Sequence, residues 1–221
     1  MLAFLPYIIL VLLLFAGSLL EVCGFRKNQV KVVRYFVFAF LLMLVGLRYN
    51  TGADWAMYTK AFETIPIEGN YPQWELGFVL VSNLFYYLFG NYYVLQFCAT
   101  LFLLYALFKF YVARTNYPIL SIAIFISMFF ISIMMAQVRQ SIALAIILLG
   151  NKYIFERKSL PFVLTVAIAA MFHISAIFAL PLYLLNRKMN KVLAVLLLGF
   201  SQIFYFFPEL LAHLLDFIQP A

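Results

Sequence analysis

The chain has 221 residues, of which 67% are hydrophobic, 19% are aromatic and only 10% are charged. Soluble domains are about half apolar, so this composition excludes a soluble globular protein and indicates an integral membrane protein. The formal net charge of +7 comes from basic residues in short groups between apolar runs, a pattern that excludes a nucleic-acid-binding face and reports membrane topology.

The first apolar run, residues 2–20, is close to the ~20 residues needed to cross ~30 Å of hydrocarbon. It has no basic start and no small-residue cleavage pattern, so we predict a retained membrane helix. The loop after it is basic, with Arg26, Lys27, Lys31 and Arg34. Basic loops face the cytoplasm, so the second run, residues 32–47, is predicted to end at the outer face.

Residues 48–75 are therefore predicted to form an external loop. It opens with RYNTGADW, a polar cluster that directly follows an apolar run. Within it, Asn50, Thr51 and Gly52 are typical of a turn that folds the chain back over the helix end. Asp54 has two interpretations, as the N-cap of the amphipathic stretch 55–62 or as a functional acid.

The apolar run at residues 76–89 is only ~21 Å long as a helix before the Gly90-Asn91 break. Counting it as a full span would place Arg157 and Lys158 outside, against the usual charge bias. We therefore predict a re-entrant or interfacial helix. Spans at 92–112, 117–136 and 141–155 then run inward, outward and inward.

The last long run, residues 160–185, is predicted to form a two-armed hairpin with its tip near His173. One tilted span is the alternative, and it would move the basic group at 187–191 to the outside. Backbone hydrogen bonds must be satisfied within lipid, so the whole chain, residues 1–221, is predicted to be a single all-α polytopic membrane domain.

This topology leaves three basic residues on the disfavoured outer side, namely Arg48, Lys60 and Arg139. Snorkelling of helix-end side chains to the interface is one explanation, and it is adopted for Lys60. An anionic ligand is the other. Gln137 and Gln140 flank Arg139, and amide and guanidinium donors together suit a phosphate or a sugar.

His173 lies in AMFHISA, within an apolar run. It is either a core histidine bonded to a carbonyl oxygen or a functional imidazole in the membrane. The sequence has no HExxH, CxxC, phosphate-loop or dinucleotide motif, and its acids and histidines lack metal-site spacing. Any catalysis is therefore predicted to use no metal and no cofactor.

Four stretches, in this order, resemble the EpsG-like, or Wzy-type, polymerases of bacterial surface polysaccharides. They are GLRYNTGADWAMYTKAFE at 46–63, WELGFVLVSNLF at 74–85, QVRQSIALAI at 137–146 and AMFHISAIFALPLYLL at 170–185. The polar positions that look like the family's marks are Arg48, Gly52, Asp54, Glu75, Arg139, His173 and Ser175. Trp55 stands where the family usually has tyrosine, and members usually continue through several more spans.

The resemblance implies a multi-pass protein of the bacterial inner membrane that makes O-antigen, capsule or exopolysaccharide. It would transfer a growing glycan from polyprenyl pyrophosphate to a carrier-linked repeat unit at the outer face. The implied substrate-binding residues are Arg48, Gly52, Glu75, Arg139 and Gln140. His173 or Asp54 would take the proton from the acceptor hydroxyl. Chain-length regulator and flippase proteins are the implied partners, beside the lipid bilayer.

Two other functions stay open at the level of sequence. A chain shorter than its relatives fits a non-catalytic partner or inhibitor of a full-length polymerase. A transporter of polyprenyl-linked lipids would need polar residues along a path through both leaflets. The inner half of the predicted helices has few such residues, which ranks the transporter last.

Overall fold

The computed structural model describes residues 4–68 and 73–185, and every regular element in these ranges is helical. The helices are α1 (Leu5–Val22), α2 (Lys27–Leu41), α3 (Trp55–Glu68), α4 (Leu76–Phe89), α5 (Tyr92–Arg114), α6 (Pro118–Phe129), α7 (Val138–Gly150), α8 (Lys152–Phe155), α9 (Ser159–Ala170) and α10 (Pro181–Leu185). Two π-helical stretches, Leu42–Gly46 and Phe130–Ala136, extend α2 and α6, and a 3₁₀ helix, Ile174–Ala179, follows α9.

Five helical segments in the described ranges are long and apolar enough to cross a membrane. They cover residues 5–22, 28–46, 92–114, 118–136 and 138–155. This confirms the predicted all-α membrane bundle. The predicted basic group at 187–191 lies outside the described residues, as do positions 69–72 of the external loop.

The chain divides into two compact units at Leu180. The first unit contains α1 to α9 and the 3₁₀ helix, while the second contributes only α10 to the described residues.

Two buried apolar clusters form the core of the first unit, and α5 takes part in both. Its Leu104 packs in a cluster with Val37 of α2 and Ile122 of α6. Its Leu95 packs in a second cluster with Phe78 of α4. Since α5 joins the two clusters, it connects the α1, α2 and α6 side of the bundle with the α3, α4 and α7 side.

Helix α4 is too short to be among the spanning segments, and both of its ends contact α3, which lies in the predicted external loop. Near its start, Phe78 packs edge-on against Tyr58, with ring centroids 5.6 Å apart. Near its end, Tyr86 packs against Phe62 at 5.7 Å. Both ends of α4 therefore lie beside two neighbouring turns of α3, so the two helices pack along one another.

The run at 160–185 is interrupted where the hairpin tip was predicted. Helix α9 ends at Ala170, and His173 has an extended backbone with φ −158° and ψ 119°. The run is therefore not one continuous helix. The carbonyl oxygen of Met171 accepts a hydrogen bond of 2.8 Å from the Gly77 N–H of α4, so a tertiary contact holds the chain at the break.

We expect cysteine labelling to confirm the topology in a background with Cys23→Ser and Cys98→Ser. Lys60 and Lys158 are both exposed, so each is reachable once converted to cysteine. Lys60→Cys should react with an impermeant thiol reagent in intact cells, because its loop is predicted to be external. Lys158→Cys should react only after permeabilisation, and its labelling in intact cells would overturn the interfacial assignment of α4.

Candidate functional site

Glu75 joins two of the other predicted site residues. Its Oε2 accepts a hydrogen bond from Nη1 of Arg139 in a close ion pair, and its Oε1 lies 3.3 Å from Nδ1 of His173. The exposed fractions of the three side chains are 20% for Glu75, 18% for Arg139 and 25% for His173. The structure therefore brings residues from three distant segments into one partly buried cluster, which we call the Glu75 cluster.

Aromatic side chains hold the guanidinium of Arg139. Its Nε donates to the Tyr58 hydroxyl at 3.3 Å, and its Cζ lies 4.6 Å from the centroid of the Trp74 ring. Its Nη2 has no hydrogen-bond partner within residues 4–68 and 73–185. Arg139 is thus fixed by Nε and Nη1, and Nη2 is left as a donor for a ligand.

The local backbone explains why Glu75 and His173 meet. Glu75 immediately precedes α4 with an extended backbone, φ −67° and ψ 141°. Two residues later, the Gly77 N–H bonds to Met171 at the end of α9. A Cβ at Gly77 would lie 2.8 Å from that carbonyl oxygen, so glycine permits the close approach. This approach sets the start of α4 beside the extended residue His173.

The charge state of the Glu75 cluster follows from its hydrogen bonds. Burial raises the pKa of the Glu75 carboxyl. This rise is outweighed by hydrogen bonds from the backbone N–H groups of Glu75 and Ile174 and by the charge and hydrogen bond of Arg139, so the net pKa lies below its usual value. Burial raises the pKa of Tyr58, with Arg139 opposing that rise. At neutral pH the Glu75 carboxyl is therefore ionised, and the phenol of the neighbouring Tyr58 is neutral.

Arg48 does not share hydrogen bonds with the Glu75 cluster. It is 8% exposed, and its Nη1 donates to the Val45 carbonyl oxygen at 2.7 Å. Gln96 of α5 donates from Nε2 to the carbonyl oxygens of Arg48 at 2.9 Å and Gly46 at 3.2 Å. Burial lowers the pKa of Arg48, and the Tyr92 hydroxyl opposes this shift. The Arg48 side chain thus bonds within its own segment, and Gln96 fastens the π-helical end of α2 to α5.

The other predicted site residues have separate environments. Gly52 has φ 111°, and a Cβ there would lie 2.2 Å from the Met135 carbonyl oxygen, so its contact is with the end of α6. The Asp54 carboxylate makes no hydrogen bond to any described residue, so no N-cap bond forms. Gln140 is half-buried and likewise lacks a hydrogen bond in the described ranges.

Sequence reasoning missed two polar residues that organise helix ends. Gln96 is 1% exposed and binds the end of α2, as described above. Glu21 is 8% exposed, and its carboxylate caps α6 by accepting the N–H groups of Ile119 at 2.8 Å and Leu120 at 3.1 Å. Each is a polar side chain in or beside an apolar run. Such residues are rare in membrane segments, so their presence there was the sequence signal that could have identified them.

No group of three or more His, Cys, Asp and Glu side chains that could hold a metal ion occurs among the residues that the structure describes.

Comparison with known proteins gives one match. A family model described as the EpsG family matches residues 31–220, a range that contains all of the Glu75 cluster. No curated protein and no solved structure matches the chain. Because the family match covers most of its length, the chain belongs to the EpsG family.

Proposed function

We propose that this protein polymerises polyprenyl-pyrophosphate-linked oligosaccharide repeat units into a bacterial surface polysaccharide. It would act as a metal-independent glycosyltransferase at the outer face of the inner membrane. The observation that carries the proposal is the Glu75 cluster, in which a carboxylate binds an imidazole and a guanidinium. Membership of the EpsG family supports the same class of reaction.

His173 is suited to be the general base. When its Nδ1–H faces Oε1 of Glu75, at 3.3 Å, its Nε2 is unprotonated and can take the proton of the acceptor hydroxyl. The imidazolium that forms then lies beside an ionised carboxylate, which stabilises its charge. The depressed pKa of Glu75 keeps that carboxylate ionised at neutral pH.

Arg139 is suited to stabilise the leaving group. As the acceptor oxygen bonds to the anomeric carbon of the donor sugar, the bond from that carbon to the pyrophosphate oxygen breaks. The pyrophosphate keeps the electron pair and gains negative charge. Nη2 of Arg139 can donate to a phosphate oxygen while Nη1 and Nε hold their protein partners. A donor fixed before the reaction needs no reorganisation as charge develops.

The aromatic groups beside Arg139 fit a sugar substrate. Trp74 is partly exposed next to the Arg139 guanidinium, and it packs against Phe78 with ring centroids 5.2 Å apart. A flat ring held by a neighbouring ring offers an apolar face to the C–H groups of a pyranose. The Tyr58 side chain is buried, and its hydroxyl accepts the hydrogen bond from Nε of Arg139. Trp74 would therefore form a sugar-binding surface beside the proposed phosphate donor.

Expression in a strain that lacks its own polymerase tests the proposed function. A ladder of polymer lengths on the cell surface is the expected result. Single capped repeats, from protein inserted at normal abundance, would instead support a non-catalytic partner. The same strain serves for every activity variant below, with insertion and abundance measured in parallel.

In that strain, Arg139→Lys should lower polymer yield about tenfold or more while abundance is retained. Lysine keeps the charge but cannot serve Glu75, Tyr58 and a phosphate oxygen with a planar fork, and a charge-assisted hydrogen bond is worth at least ~1.5 kcal/mol. Arg114→Lys is the matched control, since that guanidinium also stacks on a ring, 3.6 Å from the centroid of Phe155. Equal polymer from both variants would remove Arg139 from the site.

His173→Asn should reduce the polymerisation rate by about 10²- to 10⁴-fold, the usual contribution of a general base. Carrier binding should change little, because Arg139 is intact. His213→Asn changes the chain's other histidine and provides the control, although its position lies outside the described residues. If His173→Asn supports full polymer and Asp54→Asn does not, the base is Asp54.

A further inference from the structure

A groove between α2 and α5 carries a concentration of positive charge. Its volume is about 420 Å³, and it is lined by Lys31 and Arg34 of α2 and by Lys109 of α5. No described Asp or Glu forms a salt bridge with any of the three. Nζ of Lys109 donates a hydrogen bond of 3.2 Å to the Tyr105 hydroxyl. Among the residues that the structure describes, no carboxylate therefore neutralises these three cations through a salt bridge.

Aromatic side chains also line this groove. Phe38 of α2 and Phe108 of α5 both line the groove, and their rings pack edge to face with centroids 5.1 Å apart. Tyr35 lines the opening and is 64% exposed. A molecule that satisfies this groove must combine an anionic group with a hydrocarbon part, which is the chemistry of a charged lipid.

The position of the groove along α5 indicates which leaflet supplies the charged lipid. Gln96, in the second turn of α5, binds the outer end of α2, whereas Lys109 lies about three and a half turns further along the helix. Lys31 and Arg34 follow the basic loop that is predicted to face the cytoplasm. The groove thus lies at the opposite end of α5 from the Glu75 cluster, where the resident anionic lipids are those of the cytoplasmic leaflet.

We propose that this groove binds one anionic phospholipid of the cytoplasmic leaflet. The phosphate lies among Lys31, Arg34 and Lys109, and an acyl chain lies along Phe38 and Phe108. Basic pockets between membrane helices on the cytoplasmic side recognise lipid headgroups in this way. The lipid fills the space between α2 and α5, and its binding does not depend on the function proposed above.

Lipid titration of the purified full chain tests this site, with bound lipid counted by native mass spectrometry. Phosphatidylglycerol should bind much more tightly than zwitterionic phosphatidylethanolamine. The triple variant Lys31→Gln, Arg34→Gln and Lys109→Gln should weaken phosphatidylglycerol binding on the order of a hundredfold, at about fivefold per cation. Its thermal unfolding without added lipid is measured first, to confirm that it is folded.

Two further variants separate the groove from general charge. Arg26→Gln, Lys152→Gln and Lys158→Gln remove the same charge from other residues on the predicted cytoplasmic side and should leave binding within about twofold. Val112→Trp changes no charge and fills the groove, which Val112 lines, so it should abolish tight binding. The proposal would be overturned if both triple variants weakened binding equally or if Val112→Trp bound phosphatidylglycerol fully. It would also be overturned if equimolar polyprenyl phosphate displaced phosphatidylglycerol.

Discussion

The ion pair between Glu75 and Arg139 is the interaction on which the candidate site depends. A charged side chain in or beside the hydrocarbon layer costs free energy unless it is paired. Removing either partner would leave the other charge unpaired and would destabilise the fold. The pair fixes the start of α4 against the start of α7. The second carboxylate oxygen adds His173, at the break after α9. One carboxylate therefore positions three helix ends, and the proposed chemistry uses the same groups.

Helix ends elsewhere in the bundle follow the same physical rule. Backbone groups left over at a helix end have no water within lipid, so side chains must satisfy them. Glu21 accepts the free N–H groups of α6, Arg48 and Gln96 donate to carbonyl oxygens at the end of α2, and Ser141 donates to Ile133 in the π-helical end of α6. These four polar side chains therefore each satisfy backbone groups at a helix end.

The helices were predictable from sequence because hydropathy and charge are local properties, and the structure confirms the spanning segments and the short α4. Glu75, Arg139 and His173 were each identified as candidates, but their contact was not predicted. The bonded partners are 64 and 98 residues apart, a separation that no periodic pattern encodes. Arg48 was interpreted as a ligand group because it is a cation on the predicted outer side, and its bond to the Val45 carbonyl oxygen was not predicted. The π-helical ends were also missed, since they depend on donors from other helices.

A double-mutant cycle on thermal unfolding tests most directly whether Glu75 and Arg139 act as one unit. Glu75→Gln and Arg139→Gln should each destabilise the purified protein, because each leaves a partly buried charge without its partner. The double variant should be more stable than the sum of the two effects predicts, with a coupling of about 1 kcal/mol or more. Simple additivity of the two losses would contradict the account, since it would mean that the ion pair does not hold the site together.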